Sequence, residues 1–152
     1  MTIRATLTFI FNSGRLLLIR KKAGFGSGKI NGIGGKINDG ESPYEAATRE
    51  VLEEVGVSVY DLRHAGVLYF YSTSPTPDWE VFVYTTNNFE GQPIETDEAL
   101  PVWVSLKSIP FEEMWEDDRH WLPHVLAGNK VEGHFFFNQD YSRLKGFRIL
   151  VY

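Results

Sequence analysis

The chain contains no cysteine, which excludes disulfide bonds, thiolate metal ligands and cysteine nucleophiles. It has no apolar run near the ~20 residues that a membrane-spanning helix needs. Basic residues are the minority: fifteen Lys and Arg against twenty Asp and Glu give a formal charge of −5. That balance argues against a domain held on nucleic acid by phosphate neutralisation, so no stable nucleic-acid complex is expected. It leaves room for a small anionic substrate bridged to acidic residues by a divalent cation. No G-K-[S/T] closes the glycine-rich segment, so it is not a P-loop, and no G-x-S-x-G elbow is present. Met1-Thr2-Ile3-Arg4 lacks the charged-then-apolar layout of a signal peptide. The expectation is a soluble, cytoplasmic protein without a membrane partner, working as a monomer.

What is present fits one globular domain over residues 1–152. Aromatic residues reach 14%, with eleven Phe, seven Tyr and four Trp, more flat surface than a core alone needs. Ile3–Phe11 alternates apolar and polar residues, Asn12-Ser13-Gly14 turns, and Arg15–Arg20 returns, which predicts a β-hairpin. Residues 23–40 hold seven glycines and read as a loop. Ser42-Pro43-Tyr44-Glu45 starts a helix: Ser42 caps, Pro43 takes the first helical position and Glu45 completes a capping box. Gly56 supplies its stop after about Val55. Strands are expected at 66–71, 79–86, 101–106, 131–138 and 146–152, with a second helix at 119–127. This order suggests an α/β protein with helices packed on a mixed sheet.

On the first helix, Ala46, Ala47, Glu50, Glu53 and Glu54 share one side. Tyr44, Thr48, Val51, Leu52 and Val55 share the other and are expected to face the core. Carboxylates at i, i+3 and i+4 repel unless a cation lies between them, and hard oxygen donors suit Mg²⁺ or Mn²⁺. Such a triplet alone is more often a solvated acidic face, with Arg49 pairing to Glu45 or Glu53. Its setting decides otherwise. The string Gly35-x5-Glu41-x7-Arg49-Glu50-Val51-x-Glu53-Glu54-x-Gly56-Val57 would arise by chance on the order of once in a million chains of ordinary composition.

This string is a complete Nudix box, and the chain resembles the Nudix hydrolases. The resemblance implies an α/β/α sandwich, with a mixed sheet between helices, and metal-dependent cleavage of a nucleoside diphosphate linked to another moiety. It implies that Glu50, Glu53 and Glu54 hold the metal, with Mg²⁺ expected and Mn²⁺ a substitute, that Arg49 orients them, that Glu41 braces the loop, and that the Gly34 carbonyl adds an oxygen. Phosphoanhydride hydrolysis independently needs metal ions to neutralise phosphate oxygens and activate a water. Either Glu53 or Glu54 could take that water's proton.

Residues outside the box bear on the substrate. Lys21-Lys22-Ala23-Gly24-Phe25-Gly26, Asn31-Gly32-Ile33-Gly34-Gly35-Lys36, Glu95–Glu98 and Ile109–Asp118 are similar to the branch that cleaves oxidised purine nucleoside triphosphates such as 8-oxo-dGTP. That similarity places Thr6, Lys21, Phe25, Asn31, Ile33, Gly34, Gly35, Lys36, Phe70, Trp115, Glu116, Asp117 and Asp118 around the nucleotide, with Glu98 a further metal-site acid. An indole such as Trp115 gives a purine a plate to stack on, worth about 1–3 kcal/mol. Two neighbouring buried carboxyls, Asp117 and Asp118, would share a proton, so one donates while the other accepts. Each residue also has a plainer role: Asp117-Asp118 as a helix cap, Trp115 as core, Asn31 as a turn residue, Lys21 as an edge charge. Departures from the branch pattern are Glu116 in place of Pro, and Ile30 and Ile33 in place of aromatics. Other substrates of the family, such as a triphosphorylated RNA end, ADP-ribose or a dinucleoside polyphosphate, and a non-catalytic nucleotide sensor, are the alternatives.

Overall fold

The computed structural model describes all 152 residues. The hairpin forms as expected, with β1 (Ile3–Asn12) and β2 (Arg15–Lys21) antiparallel and Asn12 opposite Arg15. Ser13 and Gly14 turn it with φ of 52° and 77°, the two positive values of a type I′ turn. The glycine-rich segment is not one loop. It contains β3 (Ile30–Asn31), paired with β2, and β4 (Ile33–Lys36), paired with β1 over Ala5–Thr8. A Cβ on Gly34 would overlap the Thr6 carbonyl, so this glycine permits close strand approach rather than a turn.

Helix α1 (Pro43–Val55) carries the predicted capping box, and Gly56 ends it at φ 72°. Its orientation differs from the expected one. Ala46, Ala47, Val51 and Val55 are fully buried and Glu54 nearly so, whereas Leu52 is 53% exposed and Tyr44 also faces solvent. The two alanines do not leave space beside the carboxylates. Without bulk, they let the helix sit against the sheet and carry Glu54 inward with them.

The rest of the chain is β5 (Ser58–Tyr60), β6 (Arg63–Tyr71), β7 (Trp79–Thr86), β8 (Asn88–Glu90), β9 (Ala99–Ser105), α2 (Asp118–Leu126), β10 (Val131–Phe137) and β11 (Leu144–Val151). The main sheet runs β11-β10-β6-β7-β1-β2-β3, with β4 on β1 and β9 on β2, while β5 and β8 form a separate pair. It is mixed: β1 lies parallel to β7 and β10 parallel to β6, the other pairings being antiparallel. One face packs Ile10, Leu17, Ile19 and Ile33 against Ala47, Val51 and Val55 of α1. The opposite face packs Phe9, Leu68, Val83 and Phe135 against Trp121, Leu122 and Val125 of α2. The result is the expected α/β/α sandwich. No helix is long and apolar enough to cross a membrane.

Candidate active site

Arg49 organises the acids of α1. Its guanidinium donates to both Glu41 oxygens (2.6 and 2.9 Å), to Glu50 Oε1 (2.8 Å), to Glu53 Oε2 (3.1 Å) and to the Lys36 carbonyl (3.0 Å). Only the planar five-donor fork of arginine can serve so many acceptors at once. The Arg49 fork, helped by the Asn38 N–H, holds the Glu41 carboxyl down at about 2. Burial pushes Glu50 up despite Arg49. Glu54 rises to about 8, first from burial, then from the nearby charges of Glu50 and Glu98. Its Oε2 is buried without a hydrogen-bond partner. Glu53 stays largely exposed, tied to Arg49.

An unpartnered, nearly buried carboxylate oxygen beside two further acids is a costly arrangement unless a cation completes it. Gly35 adds a cradle: a Cβ there would come within 2.5 Å of Glu50 Oε2, so only glycine leaves the carboxyl its position. With Arg49 holding Glu50 and Glu53, no three of these acids converge tightly enough to hold an ion by themselves. Glu98 sits in the turn before β9, where its backbone carbonyl accepts from the Lys22 N–H.

Beside Glu54 opens a cavity of about 170 Å³ between β1, β4 and the lead-in to α2. Of the residues expected around a nucleotide, Thr6, Lys21, Phe25, Asn31, Gly34, Gly35, Phe70, Trp115, Asp117 and Asp118 line it, and Glu54 joins the acid cluster to it. Three do not. Ile33 is fully buried in the α1-side core. Lys36 is exposed and offers Arg49 only its carbonyl. Glu116 turns away to accept from the Leu144 N–H (3.0 Å), near Arg143. Strand alternation explains the first: Ile33 and Gly34 point to opposite faces of β4.

Asp117 and Asp118 are both buried, and Asp117, though it stands at the N-cap of α2, makes no side-chain capping bond there. Asp117 instead accepts the Trp121 indole N–H at 2.8 Å, one helical turn on. Burial pushes its carboxyl up to about 6, and pushes Asp118 further up, with the Asp117 charge as the second cause. Trp115 closes one wall, stacked on Phe25 at 5.1 Å with Lys29 Nζ 5.1 Å from its ring. Sequence reasoning missed Ala5, Leu7, Ile19 and Val81 and the aromatic Trp79, Phe137 and Tyr141, which complete the apolar lining. The high aromatic content was the only signal for Trp79, Phe137 and Tyr141. Thr6 Oγ1, on the cavity wall, is buried and unpartnered.

The chain is 42% identical over 132 residues to an oxidized purine nucleoside triphosphate hydrolase of Danio rerio, covering 87% of this chain and 85% of the relative. It is 38% identical to the protein of the same name from Mus musculus, covering 89% and 86%. The crystal structure of a MutT protein from Bacillus halodurans shares the fold, with a TM-score of 0.85 over 97% of both chains at 24% identity. The NUDIX domain model matches residues 1–125, the span that holds both the acid helix and the Asp117-Asp118 wall, and the chain belongs to that family.

Proposed function

We propose that this protein is a Mg²⁺-dependent hydrolase of oxidised purine nucleoside triphosphates, releasing the monophosphate and pyrophosphate. The observation that carries the reading is the continuity of two chemistries. An aromatic cavity floored by the buried Asp117-Asp118 pair opens directly onto Glu54 of the acid helix. Relatives named for oxidised purine nucleoside triphosphates, similar over most of their length, support it.

The site supplies each function from its own residues. Trp115, Phe25 and Trp79 supply the aromatic surface against which a flat base would pack. Burial raises both carboxyls of the Asp117-Asp118 pair, so the two share a proton: one donates to a base acceptor while the other accepts a ring or amino N–H. Lys21, on the cavity wall and near enough to Glu54 for its charge to oppose the rise of that carboxyl, offers a cation to phosphate, and Asn31 offers an amide that donates or accepts. Glu50, Glu53, Glu54 and Glu98, with the Gly34 carbonyl, are the hard oxygen donors that would hold a divalent cation once it draws them together, and the lone Glu54 oxygen is the clearest mark of it. When bound, the cation neutralises phosphate oxygens and lowers the pKa of the attacking water. That water forms a bond to phosphorus as the bond to the pyrophosphate oxygen breaks. Glu53 or Glu54 takes the proton, and Glu54 is the one of the two that lines the cavity. Such a reaction removes damaged bases from the nucleotide pool.

The test is kcat/KM with Mg²⁺ for 8-oxo-dGTP, 2-hydroxy-dATP, dGTP and dATP, with ADP-ribose and a triphosphorylated RNA oligonucleotide alongside. The reading expects oxidised purines to lead by about tenfold or more, roughly 1.4 kcal/mol in the transition state. Best activity on ADP-ribose or RNA would retain the metal chemistry and reject the base reading.

A further inference from the structure

The cavity's outer rim is held by a contact between two loops that carry no part of the acid helix. Tyr141, in the turn between β10 and β11, donates its hydroxyl to Asp78 Oδ2 at 2.6 Å. Ser72, at the other end of the β6–β7 connection, donates to the same oxygen at 2.6 Å. Both lengths are those of hydrogen bonds to an ionised carboxylate. The two hydroxyls hold the Asp78 carboxyl below the usual range, while burial and Asp78 raise the phenol. Asp78 is itself fixed, its backbone N–H donating to Phe70 O and its carbonyl accepting from Ile3 N–H.

Tyr141 occupies a left-handed conformation, φ 61°, which a side chain other than glycine adopts only when its surroundings impose it. The turn around it is knitted by Asn138, whose side chain bonds Ser142 and Arg143. The imposed conformation lays the Tyr141 ring against three cavity walls: stacked on Phe137 at 5.0 Å, edge-on to Phe25 at 5.7 Å and edge-on to Trp115 at 6.5 Å. Asp78 also directly precedes Trp79, a fourth wall. One carboxylate therefore sets the positions of aromatic groups from both loops.

We propose that Tyr141, clasped by Asp78 and Ser72, is a specificity-determining residue that fixes the width of the base cavity, so that discrimination among bases depends on this inter-loop contact. The inference rests on the nucleotide-hydrolase reading of the same cavity. A rim free to move would accommodate the unmodified and the oxidised base alike, because an apolar wall excludes a wrong shape only while it cannot yield.

The experiment compares wild type with Tyr141→Phe, which keeps the ring and removes the tether, with Asp78→Ala, and with the double variant. Asp140→Ala, which removes only a local bond to the Ser142 N–H, is the control for a merely looser turn. The readout is the ratio of kcat/KM for 8-oxo-dGTP over dGTP, which cancels any loss of folded enzyme because both substrates meet the same sample. The ratio is expected to fall about fivefold in Tyr141→Phe and in Asp78→Ala, with no further fall in the double variant, the change lying in KM. Asp140→Ala is expected to keep the wild-type ratio. Ratios within twofold of wild type in both single variants, or an equal fall in Asp140→Ala, would overturn the proposal. Should wild type turn over neither nucleotide, the hydrolase reading is what fails. The clasp is then judged by the same comparison on dissociation constants, from quenching of Trp79 and Trp115 fluorescence in EDTA.

Discussion

Glu54 gives the most direct measure of what the site costs the fold. In the metal-free protein its carboxyl stands at about 8 against an ordinary value of 4.5, because burial and the charges of Glu50 and Glu98 oppose ionisation. The native state therefore binds this proton more tightly than the unfolded chain does. The resulting stability is fully present below pH 4.5 and is lost as pH rises through 8. At pH 7 the span from 4.5 corresponds to roughly 3 kcal/mol of destabilisation, and between pH 5 and 8 it grows by about 1.4 kcal/mol per pH unit. Glu54→Gln removes the titration and keeps the shape. The new amide, unpartnered in its turn, adds a cost of about 1–3 kcal/mol that pH does not change. The diagnostic is thus the slope rather than the offset. In urea unfolding with EDTA at pH 5, 6, 7 and 8, the variant is expected to gain on wild type by about 1.4 kcal/mol at each step, and in thermal melts under the same conditions by roughly 3–6 °C in Tm per pH unit for a chain of this size. Saturating Mg²⁺ is expected to raise wild type by about 2–3 kcal/mol at a hundredfold excess over Kd and to raise the variant less. Curves that stay parallel across this pH range would show that Glu54 ionises freely, and the argument for a cation completing its environment would fall with it.

Other substitutions separate the parts of the site. Gly35→Ala sets a Cβ within 2.5 Å of Glu50 Oε2, a movable side-chain end, so it is expected to cost about 10–100-fold in metal affinity with little loss of Tm, measured by Mg²⁺ titration of turnover and by thermal melting. Gly34→Ala would instead drive its Cβ into the Thr6 backbone carbonyl and is expected to unpair β4 from β1, seen as a lowered Tm. Asp117→Asn, keeping an oxygen for the Trp121 indole but losing the charge beside Asp118, is expected to re-rank the bases in the kcat/KM panel while Mg²⁺ dependence stays.

The acid helix was legible because its chemistry demands fixed residue types at fixed helical spacing, and Ser42, Glu45 and Gly56 punctuate it by capping rules that act locally. Its rotation was not: a wheel ranks Leu52 above Ala46 by hydrophobicity, whereas close packing prefers the smaller side chain. Strands β5 and β8 are three residues long, too short to show a period. For Asp117-Asp118 the capping and pocket readings share one sequence, and the Trp121 indole, four residues on, decides against the cap in three dimensions. Nothing marks Tyr141, because the Asp78 carboxylate that holds its hydroxyl lies 63 residues away in the chain. Gly34 and Gly35 carry the argument furthest. As letters, glycines signal freedom to turn, and residues 23–40 read accordingly as loop. In space, Gly34 admits the backbone of β1 and Gly35 admits the carboxyl of Glu50. Neighbouring residues on β4 thus dock the strand against the cavity wall and hold the acid helix at its mouth, so the closeness of base pocket to acid cluster depends on two side chains that are absent.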